Sequence, residues 1–174
     1  MHLRYLGHLV RRFFGSLRPG GPPPADDAWA VDRMTPGEAG LWRRMSAADR
    51  RHAVVVARRV DVTLGRSATR PVLAAALLHD VGKIDSGFGP VGRAAATVAG
   101  MVGGHDVTRH WRGRDGLAGR VGRYLCHDEI GAELLAGAGS DALTIAWARE
   151  HHLPPERWTV DAEVGAALKA ADDD

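Results

Sequence analysis

The chain has a single cysteine among its 174 residues, Cys126, which excludes an internal disulfide framework and a zinc site built from several cysteines. It has no uninterrupted run of about 18 apolar residues, the length that a membrane-spanning helix needs. Arg4, Arg11 and Arg12 interrupt the apolar residues at the start of the sequence, so no secretory signal peptide is expected. These absences together predict a cytoplasmic protein with a reduced thiol.

The sequence has no large excess of positive or negative charge. The formal net charge is +2, although the sequence pI is about 9.1. Because the balance is near zero and the basic residues form no long patch, we expect no nucleic-acid partner. The length and the 45% content of hydrophobic residues predict one folded domain rather than a disordered chain.

Residues 1–18 are predicted to form an amphipathic helix, because their apolar residues recur at spacings of three and four. These residues are Leu3, Leu6, Leu9, Val10, Phe13, Phe14 and Leu17. We expect the helix to pack on the main domain or to form a homodimer with a second copy. Its arginines also permit peripheral contact with an anionic membrane, and a frayed segment is the third alternative. The stretch PGGPPP at 19–24 predicts a linker, which leaves residues 25–174 as a helical domain.

That domain is predicted to be all-α, since no alternating apolar and polar run is long enough for a confident strand. Thr35 and Glu38 have the spacing of a capping box, and Ser46 with Asp49 can begin the next helix, which runs to Leu64. Further helices are expected near 71–80, 90–101, 117–126, 128–137, 141–151 and 161–173. Residues 102–116 are rich in glycine and arginine and are predicted to form a loop.

The most informative local feature is the stretch LLHDVGK, in which His79 and Asp80 are adjacent. Neighbouring side chains on a helix diverge by roughly 100°, so the pair can bind one metal ion only near a helix end, or can serve two ions. Gly82 is expected to end this helix, and Lys83 follows one turn beyond His79.

Several other histidines and aspartates lie on the apolar stripe of a predicted helix, as Asp80 does. They are His52, His127, His151, His152 and Asp172. Each histidine alone is compatible with a hydrogen-bonded core residue. A buried, unpaired carboxylate is costly, whereas a divalent cation satisfies carboxylate and neutral imidazole together. Imidazole and carboxylate ligands suit Fe, Mn, Co, Ni or Zn.

The ordered set His52, His79, Asp80 and Asp172 resembles the motif of the HD superfamily of metal-dependent phosphohydrolases. The matching stretches are HAVVVARRV and AAALLHDVGK, together with the closing LKAADDD, and the resemblance covers roughly residues 38–174. It implies an all-α, HD-domain-like helical bundle with a metal site among the helices.

Within that superfamily the chain is most similar to the HD-GYP branch. His127 resembles the histidine that this branch places after the His-Asp pair, and His151-His152 resembles its double histidine. The resemblance then implies seven ligands and one or two metal ions, with Asp80 as the bridge. After His152 the chain reads LPPERW and has no Gly-Tyr-Pro, which argues against cyclic di-GMP as the substrate.

The resemblance implies hydrolysis of a nucleotide or another small phosphorylated molecule, a phosphomonoester or a phosphodiester, by metal-activated water. Asp80 and Lys83 are its predicted catalytic residues, although Lys83 is also a favourable cation at a helix C-terminus. Arg120 and Arg123 are candidates for binding substrate phosphate, since the guanidinium group pairs with phosphate in a bidentate manner. The alternatives are an inactive HD-type module that binds a nucleotide or partner in signalling, a helical protein with structural histidines, and oxygen-dependent di-iron chemistry.

Overall fold

The computed structural model describes residues 20–88, 92 and 111–173, and these residues contain eight α-helices, three short 3₁₀ helices and no strand. The all-α prediction is therefore confirmed. The α-helices are α1 (Pro24–Val31), α2 (Pro36–Arg44), α3 (Ala47–Leu64), α4 (Arg70–Leu78), α5 (Gly116–Leu125), α6 (His127–Gly137), α7 (Ala142–Glu150) and α8 (Ala162–Asp173). The 3₁₀ helices are Gly65–Ser67, Val81–Ser86 and Pro155–Arg157.

Local capping chemistry determines where α2 and α3 begin. The Thr35 hydroxyl accepts a hydrogen bond from the Glu38 amide, and the Glu38 carboxylate accepts one from the Thr35 amide, which is the predicted capping box. The Ser46 hydroxyl accepts a hydrogen bond from the amide of Asp49 at the start of α3. Each cap satisfies backbone donors that the first turn of a helix leaves unpaired.

Helix α1 was not predicted, because its eight residues carry no apolar stripe of useful length. It begins at Pro24, the last residue assigned to the linker, and has two acidic residues in its first turn. Asp27 holds it against the neighbouring helices by accepting hydrogen bonds from Trp42 Nε1 and Arg50 Nη1, both at 3.0 Å.

Helix α4 ends at Leu78, two residues before its predicted end. The backbone of Asp80, at φ −98° and ψ 9°, leaves the α-helical region and leads into the 3₁₀ helix Val81–Ser86. Gly82 therefore lies inside this 3₁₀ helix and does not end α4. The turn at His79 and Asp80 places both side chains in the interior.

The core lies where α3, α4, α7 and α8 meet, with α6 packed on both α7 and the 3₁₀ helix Val81–Ser86. Its largest fully buried side chains include Trp42, Leu77, Leu78, Leu135 and Leu168. Because these helices pack around one centre, the polar residues on their inner faces come close together.

Some predictions fall outside the described residues. They are the helix at 1–18, nearly all of the helix at 90–101, of which only Gly92 is described, and residues 102–110 of the loop predicted at 102–116. No helix in the described part of the chain has the length and apolar character to cross a membrane.

Candidate metal centre

Five helices contribute the candidate ligands, and most of these residues lie at helix ends. His52 lies within α3, and Asp172 is in the last turn of α8. His79 and His151 cap the C-termini of α4 and α7, and each is followed directly by a second candidate ligand, Asp80 and His152 respectively. His127 is the first residue of α6. The two adjacent pairs therefore stand at helix ends, where neighbouring side chains can point into the same space.

The seven residues form two groups, and within each group the ligand atoms lie within 4.8 Å of one another. In the first group, the Asp172 Oδ1 oxygen is 2.9 Å from His52 Nε2 and 3.7 Å from His79 Nε2. These three atoms come from α3, α4 and α8, so the fold alone brings them together. The group could hold one metal ion.

The second group contains Asp80 and three histidines. The Asp80 Oδ1 oxygen is 3.4 Å from His127 Nε2 and 3.7 Å from His151 Nε2. His152 Nε2 lies 3.2 Å from His127 Nε2. The group could hold a second ion at the ends of α4, α6 and α7.

Asp80 stands between the two groups. Its Oδ1 oxygen faces the second group, while its Oδ2 oxygen is 3.5 Å from His79 Nε2 of the first. Lys83 also contacts Oδ2 through its ammonium group. One carboxylate therefore has an oxygen directed at each group, which is the geometry that a bridging ligand requires.

Backbone hydrogen bonds orient three of the imidazole rings. The Nδ1 atoms of His79, His127 and His151 lie 2.8 to 3.0 Å from the carbonyl oxygens three residues earlier, those of Ala76, Tyr124 and Ala148. A carbonyl oxygen only accepts, so each Nδ1 carries a proton, and the ring in its neutral form directs the lone pair of Nε2 into the cluster. Such a second hydrogen bond is the usual partner of a histidine that binds metal.

The Nε2 atoms of His79 and His151 are buried and make no hydrogen bond to the described residues. A buried polar atom without a partner is costly, and here each faces a carboxylate oxygen. A divalent cation between imidazole nitrogen and carboxylate oxygen would satisfy both. The donor set therefore fits a metal ion on geometry that does not depend on the family resemblance.

The protonation states are consistent with this arrangement. Burial alone would raise the pKa of Asp80, but the charges of Lys83 and His79 and the nearby imidazoles of His127 and His151 outweigh it and hold the pKa well below the ordinary value. Asp80 is thus a carboxylate at neutral pH. Burial lowers the pKa of His151, and desolvation together with the neighbouring His151 and His127 lowers the pKa of His152 to about 2, so both rings are neutral.

His79 differs from these two rings. Burial alone would lower its pKa, but the carboxylates of Asp80 and Asp172 overcome burial and raise it. Positive charge is therefore favoured at the point between the two carboxylates. A proton on His79 can supply that charge, and a bound cation would take its place.

Exposure to solvent differs among the residues of the cluster. His79, Asp80 and His151 are buried, whereas His152 is exposed and the His52 side chain is 27% exposed. His52 and His152 are thus the members of the cluster that solvent reaches most easily.

The two predicted phosphate-binding arginines lie beside the turn after Lys83. Arg120 donates hydrogen bonds to the carbonyls of Ser86 and Gly87, and Arg123 donates one to the carbonyl of Asp85. Both guanidinium groups thus brace the 3₁₀ helix Val81–Ser86. Binding of substrate phosphate by these arginines stays a prediction.

Tyr124 is a neighbour of the cluster that sequence reasoning missed. Besides its carbonyl contact with His127 Nδ1, its ring stacks on that imidazole, with centroids 5.9 Å apart and planes at 27°. The available signal was its nearness in sequence, since Tyr124 precedes His127 by three residues across the junction of α5 and α6.

No protein-family model, curated protein or solved structure matches this chain.

Proposed function

We propose that the protein is a metal-dependent phosphohydrolase that acts on a nucleotide or another small phosphorylated molecule. The observation that carries the proposal is the convergence of five imidazoles and two carboxylates in two groups, joined by Asp80. The resemblance of the motifs to the HD superfamily supports the reaction class, and the two unpartnered Nε2 atoms support the metal.

Divalent transition metals, drawn from Fe, Mn, Co, Ni and Zn, would supply a Lewis acid and lower the pKa of a coordinated water towards neutrality. His52, His79 and Asp172 would hold one ion and His127, His151 and His152 the other, with Asp80 shared between them. Asp80 stays ionised because Lys83 and His79 offset the effect of its burial.

Lys83 is placed to bind the phosphoryl group. Its side chain is 12% exposed, and its ammonium group lies at the shared carboxylate between the two groups. An ammonium there offers a phosphoryl oxygen a charge-assisted hydrogen bond, and it balances charge that develops during transfer. The carbonyl contacts of Arg120 and Arg123 would keep this turn in place.

The proposal is tested first by metal content. Protein purified without chelator or added metal is analysed for elements beside a His79→Ala, Asp80→Ala double variant, with Asp85→Ala as the control because Asp85 is exposed. We expect about two equivalents of a transition metal in the parent and the control, and a loss in the double variant. A folded parent without metal, even after metal is added back, would overturn the proposal.

Activity is tested on the metal-loaded protein. Phosphate release is measured from nucleoside mono-, di- and triphosphates, and cleavage of mono- and bis(p-nitrophenyl) phosphate separates monoester from diester chemistry. We expect at least one class to be hydrolysed, and the double variant to be inactive. Full metal content with no hydrolysis of any class would contradict the enzyme and favour a binding module.

A further inference from the structure

An apolar groove runs between α3 and α8, on the outside of the helices that carry His52 and Asp172. It has a volume of about 540 Å³, and valines of α3 and alanines of α8 line it. Val62 and Val55 are 86% and 48% exposed, and among the described residues only one other large hydrophobic side chain, Leu117, is as open to solvent. An exposed apolar groove of this kind can receive an apolar segment.

We propose that residues 1–18 of the same chain dock in this groove as an amphipathic helix. The described part of the chain begins beside the groove. Asp26, in the first turn of α1, lies at the groove. The five residues 19–23 that precede α1 can span at most about 17 Å, so they keep the segment close to the groove.

The sequence of the segment has the amphipathic pattern that such a groove can accept. At 100° per residue, its seven apolar side chains occupy an arc of about 140°, and its arginines lie on the opposite side. Eighteen helical residues measure about 27 Å, the same length as the 18-residue α3. Phe13, Phe14 and Leu17, which are nearest the linker, would fill the groove.

Charge sets the orientation of the segment. The groove walls carry Arg58, which pairs with Asp26 at 2.9 Å, and Arg59, which donates to the carbonyl of Ala171. An apolar face turned into the groove directs the arginines of the segment away from these two cations. The same face would clamp α3 to α8 and so hold His52 beside Asp172.

The tether favours the chain's own segment over the other occupants. A short linker gives an effective concentration in the millimolar range, which exceeds that of a second copy under ordinary conditions. A membrane-bound segment would leave the groove between α3 and α8 exposed.

The test measures the reactivity of a cysteine placed in the groove of the full chain. Val62→Cys is labelled with N-ethylmaleimide beside Ala136→Cys, which is exposed and lies outside the groove, and the buried Cys126 gives the baseline. Phe13→Glu with Phe14→Glu removes the apolar face, and Arg11→Glu with Arg12→Glu is the matched control. Far-ultraviolet circular dichroism shows that each variant is folded.

We expect Val62→Cys to react at least about tenfold more slowly than Ala136→Cys. The phenylalanine variant should abolish this difference, and the arginine variant should keep it. Equal labelling rates of Val62→Cys and Ala136→Cys in a chain whose residues 1–18 are unaltered would overturn the proposal. Protection of Val62→Cys that disappears on dilution would also overturn it, because it indicates that a second copy fills the groove. Protection that requires anionic phosphatidylserine vesicles would overturn it as well, because it indicates a membrane.

Discussion

Gly82 packs directly against the backbone of His127, and this contact joins the turn that carries Lys83 to the helix that carries a candidate ligand. A Cβ atom at residue 82 would overlap the carbonyl oxygen of His127 and lie 2.6 Å from the amide nitrogen of Gly131. Backbone atoms cannot move aside as the end of a flexible side chain can. The close approach therefore needs glycine and fixes how far His127 stands from Asp80.

We expect Gly82→Ala to force α6 away from the 3₁₀ helix Val81–Ser86. The cost of such overpacking is roughly 1–3 kcal/mol in the free energy of unfolding. Denaturant unfolding in the presence of chelator measures it without a contribution from metal. Gly40→Ala is the control, because a Cβ there meets nothing within 4 Å and helix propensity predicts a gain of up to about 1 kcal/mol. A Gly82→Ala protein as stable as the parent would show that the contact is not tight.

Asp172 and Asp173 provide a matched pair of adjacent carboxylates. Asp172 is buried and lies 2.9 Å from His52 Nε2, whereas Asp173 is exposed and pairs with Lys169. We expect Asp172→Asn to lower the metal content by about one equivalent, because the amide removes the charge from the first group. Asp173→Asn should leave the metal content unchanged. Elemental analysis decides, and equal metal content in the two variants would exclude Asp172 as a ligand.

Local chemistry explains what could be predicted from the sequence. Capping residues indicated the starts of α2 and α3, and the apolar stripe of α6 directed His127 inward. Helix α1 could not be predicted, because its eight residues are too few to show a helical apolar period. The division of the seven residues into two groups could not be predicted, because it depends on distances between helices. His52 and Asp172, for example, are in contact although they are 120 residues apart in the sequence. The roles of Arg120 and Arg123 as braces likewise depend on tertiary contacts with carbonyl oxygens.

Because Asp80 lies between the two groups, its substitution should lower the metal content more than substitution of a ligand that belongs to one group alone. Since its two oxygens face different groups, Asp80→Asn should weaken both, and metal content should fall below that of Asp172→Asn. Asp85→Asn, five residues further along, in the 3₁₀ helix Val81–Ser86, is the control, because that side chain faces Arg44 at 3.5 Å on the surface. Retention of one full equivalent by Asp80→Asn would mean that Asp80 serves a single group.

The chain has only two lysines, which makes the role of Lys83 directly testable. If the protein is a phosphohydrolase, Lys83→Met should retain its metal and lower kcat by about 10- to 100-fold, the value of a hydrogen bond to a charged group. Lys83→Arg should recover part of the rate, since it restores the positive charge. Lys169→Met is the control, because Lys169 pairs with Asp173 at the surface. If Lys83→Met instead loses metal in proportion to its activity, the lysine acts through Asp80 and does not contact the phosphoryl group.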